Sequence, residues 1–338
     1  MKFNLLRACL LLPVVSLFWL ARVVPNRAAS ATDERQDRII LHSKEPITPL
    51  ELKAGLSPAK IALGHLLFND TRLSSDNTIS CASCHDLHKG GTDALPLSLG
   101  VSKHRLKRNA PTVFNCSLNY RQFWDGRAAT LEEQIEGPVN ARDEMGMAWS
   151  KVLVKLRTDA QYLTTFQRIY ADGLTVVNIK NSIAEYERSL ITPDCRFDKY
   201  LRGDQAAISS TELSGYKLFK AVGCVSCHQG RMVGGNMMQA FGVIAGQAES
   251  PALKGGQGID SGTADDSQTS AGNKFKVPGL RNVAITGPYF HDGSAATLEE
   301  AIRTMGIQQL GRELSGNEVV ELAAFLRTLT GCYQGKQL

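Results

Sequence analysis

Two short stretches of one kind decide the fold of this chain: Cys81-Ala82-Ser83-Cys84-His85 and Cys224-Val225-Ser226-Cys227-His228. A C-x-x-C-H sequence is typical of covalent haem attachment, in which both thiols form thioethers with the porphyrin vinyl groups. The adjacent histidine then reaches the iron from one side. We therefore expect two haem c groups, with His85 and His228 as the proximal iron ligands.

Zinc binding and dithiol chemistry are the other common uses of a C-x-x-C pair. A zinc ribbon needs two pairs close enough to share one tetrahedral ion, whereas Cys224 lies 143 positions after Cys81. Each pair is also followed directly by histidine. The spacing therefore favours haem c over both alternatives.

The first 31 residues have the composition of an export signal. Lys2 and Arg7 give a positive start, residues 8–20 form an apolar run, and Ala29-Ser30-Ala31 provides a small-residue cleavage site. Because haem c is attached outside the cytoplasm, this segment predicts a periplasmic protein. The apolar run is short for a membrane span, although the arginines that follow it leave an uncleaved anchor as the alternative.

The apparent basicity of the chain, 38 Lys and Arg against 33 Asp and Glu, belongs mostly to this signal. Residues 1–31 hold four basic residues and no acidic one, so the remainder is nearly neutral. Net charge therefore gives no support for nucleic-acid binding. Among the cysteines outside the haem motifs, Cys116, Cys195 and Cys332 need not form a disulfide, and we expect buried free thiols.

An internal repeat extends beyond the haem motifs. Residues 123–135 recur as residues 290–302 with ten of thirteen positions identical, and Arg108-Asn109 recurs as Arg281-Asn282. The repeat predicts a mainly α protein of two fused cytochrome c-like domains. Each domain would bind one c-type haem, with the haem sites near the domain interface.

The 338 residues and a hydrophobic fraction of 43% are sufficient for two domains. We expect a signal peptide over 1–31, an N-terminal domain over 32–203 and a C-terminal domain over 204–338, with the boundary in the polar stretch 201–211. Capping residues predict helix starts after Ser57, Thr130, Ser209, Thr297 and Ser315, with the last helix running to Gly331.

The repeat also predicts that the two haem irons differ in their second ligand. Met305 follows Ile302 by three residues, whereas Pro138 stands at the matching place in the first half. Methionine thioether is a soft iron ligand that raises the haem potential, and proline offers no ligand atom in its side chain. We expect the second iron to be held by His228 and Met305 and to accept electrons. Met145 and Met147 are further candidates for the first iron, past the matching point.

An iron with an exchangeable position binds small oxygen ligands, and a nearby acid can move protons between their oxygens. Glu144 follows the Gly137-Pro138 turn and is placed to act as that acid or base. The alternative is a surface glutamate in a charged loop. Trp124, which is His291 in the repeat, is either a core aromatic residue or a bridge between the haems.

These residues together resemble the bacterial dihaem cytochrome c peroxidases, which are related to the MauG proteins. The matching stretches cover nearly the whole chain after the signal. They are residues 73–85, Arg108-Asn109-Ala110-Pro111-Thr112-Val113, residues 122–128, Glu144-Met145, residues 280–291 and Met305-Gly306.

The resemblance implies reduction of hydrogen peroxide to water at the first haem, with electrons delivered through the second haem. It implies that Glu144 is the catalytic glutamate and Trp124 the inter-haem tryptophan. It also implies a calcium ion held by Asn109 and by backbone oxygens of Thr286 and Pro288, which suits a hard cation.

The same resemblance implies a homodimer and a small electron donor, either a monohaem cytochrome c or a copper protein. MauG proteins use tyrosine where this chain has Met305, which favours the peroxidase. A MauG-like oxidase acting on a protein substrate and a non-catalytic dihaem electron carrier are the two alternative functions.

The far side of the first haem has two interpretations. Many members of the family place a removable histidine ligand in the loop before Arg-Asn, and here His104 lies in that loop between Lys103 and Arg105. His88 is a second candidate, although it follows His85 closely. If neither binds, the first iron is open at all redox levels and Glu144 is its only polar distal group.

Overall fold

The computed structural model describes residues 45–52, 54–244 and 274–338, and these are mainly helical. The predicted signal, residues 1–31, lies outside the described residues. Within the described part, no helix is both long and apolar enough to cross a membrane. The described residues belong to one compact unit.

Eleven α-helices occur in the described part of the chain. They are α1 Pro58–Phe68, α2 Cys81–Cys84, α3 Leu131–Gln134, α4 Glu136–Asn140, α5 Trp149–Arg157, α6 Ala160–Ile169, α7 Val176–Ser189, α8 Arg196–Leu201, α9 Ser210–Ala221, α10 Leu298–Leu310 and α11 Gly316–Arg327. Two short antiparallel pairs complete the structure: β1 Met238–Ala240 with β2 Lys274–Lys276, and β3 Cys332–Tyr333 with β4 Lys336–Gln337.

The predicted helix starts are confirmed. Ser57, Thr130, Ser209, Thr297 and Ser315 each accept a hydrogen bond from a backbone N–H in the first turn of their helices. The predicted end of the last helix at Gly331 is wrong, because α11 ends at Arg327. The short β1–β2 pair was not expected, since three-residue strands carry little sequence pattern.

Two helix pairs organise the two halves in the same way. Helix α1 packs on α7, and α9 packs on α11. Each contact depends on a buried glycine. A Cβ added to Gly64 would lie 1.9 Å from the Ser182 carbonyl oxygen. A Cβ added to Gly215 would lie 1.9 Å from the Glu321 carbonyl oxygen. The absent side chains allow the backbones to touch. Each pair delivers the chain to the haem motif that follows α1 or α9.

Gly215→Ala is expected to destabilise the protein, although alanine favours an isolated helix by about 0.5–1 kcal/mol. The added methyl group would overlap the Glu321 carbonyl, and overpacking typically costs about 1–3 kcal/mol. The measurement is the denaturant midpoint, with Ser214→Ala as the control because Ser214 is exposed on the same helix. A midpoint for Gly215→Ala at or above that of the control would contradict the close contact.

The backbone also shows the internal repeat, but it aligns the residues around Asn282 differently from the sequence prediction. Asn115 and Asn282 both have left-handed φ, at 61° and 63°, and both begin a 3-10 turn. Their side-chain amides meet at one buried residue, Thr192, whose hydroxyl accepts from Asn115 at 2.7 Å and from Asn282 at 3.0 Å. The equivalent of Asn282 is therefore Asn115, and the expected match of Asn109 with Asn282 is wrong.

Among the described residues, the buried hydrophobic side chains form two clusters. One is built from residues 63–190, and the other from residues 195–329 together with Ile47. Ile47, Cys195, Phe197 and Leu201 belong to the second cluster, although the predicted N-terminal domain 32–203 includes them. The boundary at 203/204 stays a prediction. The seven cysteines of the described part are unpaired, with Cys116 and Cys195 buried and Cys332 half-buried.

Candidate functional site

The second C-x-x-C-H motif lies at one wall of a cavity of about 470 Å³. Cys224, Cys227 and His228 line it, and α10 contributes Met305 to the same cavity. The rest of the lining is mostly apolar, including Leu280, Ile302 and other aliphatic side chains. The structure therefore brings together the four residues expected to hold the second haem.

The orientation of His228 is suited to an iron ligand. Its Nδ1 lies 3.3 Å from the carbonyl oxygen of Val233, which leaves Nε2 for a metal. Burial lowers the pKa of His228 to about 4, so the imidazole is neutral, as a metal ligand must be. A Cβ on Gly234 would lie 3.2 Å from Nδ1 and 2.3 Å from the Pro278 carbonyl oxygen, so only glycine fits beside the ring.

The first C-x-x-C-H motif has the same local arrangement. Cys81–Cys84 form the short helix α2, and His85 follows it with Nδ1 3.4 Å from the carbonyl oxygen of Gly91. Burial lowers the pKa of His85 as well. Both histidines thus point the same ring nitrogen to a backbone carbonyl five or six residues further along the chain. The residues of both sites fit a haem c group held by two thioethers and a proximal histidine.

Glu144 lies close to this first motif. Burial raises the pKa of the Cys84 thiol to about 11, and the negative charges of Asp93 and Glu144 act in the same direction. Burial also raises the pKa of Glu144 itself, and the charge of Arg127 opposes this. Glu144 is half-buried, and its carbonyl oxygen accepts from the Val101 N–H at 2.8 Å. The structure therefore places a carboxyl group with a raised pKa near the first haem motif.

The other sulfur candidates for the first iron are buried in the hydrophobic cluster that packs against Cys81. Met145 and Met147 are each 3% exposed and belong to the hydrophobic cluster of the first half. Pro138 lies in α4, at the place where Met305 stands in α10. In the described structure both methionines have the surroundings of core residues.

Trp124 lies at the junction of the two halves. Its Nε1 donates to the Asn109 carbonyl oxygen at 3.0 Å, and its ring makes an edge contact with His291 at 6.4 Å between centroids. It also lines the cavity of the second motif. The Asn109 N–H in turn donates to the His291 carbonyl oxygen at 2.9 Å. Trp124 and His291, which occupy equivalent positions of the repeat, are therefore neighbours in space.

The three residues expected to hold calcium line one cavity. Asn109, Thr286 and Pro288 all contribute to the wall of the cavity that contains His228. The Asn109 amide nitrogen donates to the carbonyl oxygens of Leu95 at 2.9 Å and Pro96 at 3.3 Å.

His104 is exposed at the end of the 3-10 turn Val101–Lys103. The loop is held against the Glu144 segment, because a Cβ on Gly100 would lie 1.9 Å from the Asp143 carbonyl oxygen. His88 is also exposed.

Asn119 and Lys276 are among the polar residues of the second cavity that sequence reasoning missed. Lys276 is 8% exposed, which is unusual for lysine. The local sequence does not predict this burial. Lys274 lies on the same short strand and is exposed.

The fold and the two motif sites define a two-haem protein of the cytochrome c type. The profile of a family described as di-haem cytochrome c peroxidase matches residues 58–206. The cytochrome c551 peroxidase of Nitrosomonas europaea is 43% identical over 86% of this chain and 86% of its own length. The cytochrome c peroxidase Ccp of Escherichia coli K12 is 41% identical over 94% of this chain and 67% of its own length.

A solved structure supports the fold independently. A MauG-like protein associated with microbial copper homeostasis is 27% identical, with a TM-score of 0.66 over 84% of this chain and 93% of that protein. This chain belongs to the di-haem cytochrome c peroxidase family. It is an oxidoreductase with haem c cofactors.

The mature protein is expected to carry two covalent haems, because each half supplies two thiols and one histidine. The intact mass should exceed that of the polypeptide by two haems. Replacing Cys224 and Cys227 together by alanine should remove one haem and leave the one at Cys81 and Cys84. A single haem in the unaltered protein, or a bound metal without porphyrin, would disprove the assignment.

Proposed function

We propose that the protein reduces hydrogen peroxide to water at the haem held by His85, with electrons that enter at the haem held by His228 and Met305. The haems supply the one-electron chemistry when bound. The observation that carries the proposal is the difference between the two sites. The second site brings a methionine to its histidine, whereas the first has Pro138 at that place and Glu144 nearby.

In this proposal, Glu144 moves a proton between the two oxygens of the bound peroxide. A general base works best when its pKa lies near the operating pH, and burial shifts Glu144 upward in that direction. The positive charge of Arg127 opposes this rise in the pKa of Glu144. The carboxylate can then accept a proton from one oxygen and return it to the leaving oxygen.

Trp124 connects the two sites in this proposal. Its ring lines the second cavity, and its indole N–H is fixed by the Asn109 carbonyl. A rigid aromatic ring between two redox groups shortens the gap that an electron must cross. Asn109, Thr286 and Pro288 would hold a calcium ion beside this contact, with oxygen ligands that suit a hard cation.

We further propose that the protein works in the periplasm as a homodimer. The apolar run and small-residue site within residues 1–31 support export. A monohaem cytochrome c or a copper protein would supply the electrons. The printed name of the Nitrosomonas relative, cytochrome c551 peroxidase, supports a cytochrome donor.

Steady-state peroxide consumption by the half-reduced protein with a reduced monohaem cytochrome tests this function. Turnover that depends on both peroxide and donor is expected. A MauG-like oxidase would instead modify a protein substrate with little steady-state turnover, and the MauG-like structure is the more distant of the relatives described above. A pure electron carrier would bind neither peroxide nor cyanide even after partial reduction.

His104→Ala is expected to convert the oxidised first haem to a high-spin form that reacts with peroxide without prior reduction. The reason is that His104, in the loop held against the Glu144 segment, would be a removable distal ligand. The measurement is the absorption spectrum of the fully oxidised protein, with Arg105→Ala as the matched control because Arg105 is exposed in the same loop. An unaltered protein that is already high-spin and reactive, with no change in His104→Ala, would exclude the ligand role.

A further inference from the structure

A buried lysine lies in the wall of the second-haem cavity. Lys276 ends strand β2 and is 8% exposed, and its backbone N–H donates to the Trp124 carbonyl oxygen at 2.7 Å. It lines the same cavity as His228 and Met305. The backbone of this lysine is therefore fixed beside Trp124, at the wall of the second-haem cavity, and the buried thiol of Cys116 is the titratable group near its side chain.

The protein provides no counter-charge for this lysine in the part of the chain that the structure describes. None of the described residues that line the cavity is aspartate or glutamate, and Lys276 is the only lysine or arginine among them. The ion pairs of the described residues do not include Lys276. An unpaired buried charge is costly, so burial lowers the pKa of Lys276 to about 8.

A second polar group in the same cavity is also without a partner. The Oδ1 atom of Asn119 is buried and has no hydrogen-bond partner among the described residues. Buried polar atoms in folded proteins are nearly always hydrogen-bonded, so an unpaired one indicates a missing partner. The oxygen and nitrogen of an asparagine amide exchange places by a simple rotation, which allows Asn119 to present a donor instead.

We propose that Lys276 is the ion-pair partner of a haem propionate at the second site, with the Asn119 amide as an additional hydrogen-bond donor. Haem c carries two propionate carboxylates, and the cavity is otherwise mostly apolar. A carboxylate there pairs with the lysine and, once the amide has rotated, accepts a hydrogen bond from the Asn119 Nδ2–H. This inference rests on haem attachment at the second motif and does not depend on peroxide reduction at the first.

The ion pair has a functional consequence for the electron-accepting haem. A positive charge close to the haem stabilises the reduced form, because reduction removes one positive charge from the iron. The interaction is strong in a cavity that excludes water, where the effective dielectric constant is low. Lys276 is thus a positioning residue that adds to the effect of Met305 on the potential.

The test is the midpoint potential of the second haem in the full dihaem protein, measured by spectroelectrochemistry without peroxide. Lys276→Met keeps the length of the side chain and removes its charge. We expect the equilibrium constant for reduction to fall about tenfold or more, a downward shift of at least ~59 mV for a one-electron couple. Lys276→Arg, which keeps the charge, should restore most of the potential.

Lys274→Met is the matched control, because Lys274 is exposed two positions earlier on the same strand. It should leave the potential unchanged. A Lys276→Met protein with both haems attached and an unaltered potential would overturn the proposal, and would mean that the lysine pairs with another group of the chain. Because the readout is a potential, the result is independent of whether the protein turns over peroxide.

Discussion

Glu144→Gln is expected to lower peroxide turnover by about 10²- to 10⁴-fold, the range usually lost with a general acid or base. Glutamine keeps the shape of the side chain and removes its ability to carry a proton. Haem content and the potential of the second haem should be unchanged, because Glu144 lies beside the first motif. The measurement is kcat with a reduced cytochrome donor.

The pH profile provides an independent test of the same role. A base must be ionised to act, so turnover should fall as the pH drops through the pKa of Glu144, which burial raises. Arg127 opposes that rise, so Arg127→Gln should move the acid limb of the profile to higher pH. The limb should be absent in Glu144→Gln. A loss of less than about threefold in turnover, far below the usual range, would show that Glu144 has no role in proton transfer.

Met305→His is the second large effect, and it should lower the potential of the second haem and slow electron entry. Thioether ligation favours the reduced iron, whereas a second imidazole favours the oxidised form. Both haems should remain attached, because the thioether cysteines are unaltered. The measurement combines a spectroelectrochemical titration with the rate of reduction by the donor.

Ile307→His is the matched control for this substitution. It places an imidazole two residues further along α10, and Ile307 is exposed and is not among the residues that line the second cavity. The potential of that variant should stay at its original value. If Met305→His also left the potential unchanged, the iron ligand would have to be another residue.

The sequence by itself determined the parts of this protein that depend on local chemistry. A C-x-x-C-H motif carries its thiols and its histidine within five residues, so attachment needs no knowledge of the fold. Helix starts were predictable for the same reason, since a capping side chain bonds to a backbone N–H two or three residues away. Met305 was found because the repeat supplied an internal comparison with Pro138.

Contacts between distant segments were decided only by the tertiary structure. The predicted match of Arg108-Asn109 with Arg281-Asn282 rested on two identical residues. The left-handed backbone and the shared contact with Thr192 instead identify Asn115 as the equivalent of Asn282. Two residues of sequence carry too little information to fix a register across a loop of different length. Backbone conformation and a common partner fix it.

The burial of Lys276 shows the same limit at the candidate site. Lys274 and Lys276 are two positions apart on one short strand, yet one is exposed and the other lies in the cavity wall beside Trp124. Which of them is buried depends on how segments far apart in sequence pack around the second haem motif. Propensity and periodicity act over a few residues, so they cannot predict the lining of a cavity whose residues range from Thr92 to Leu326.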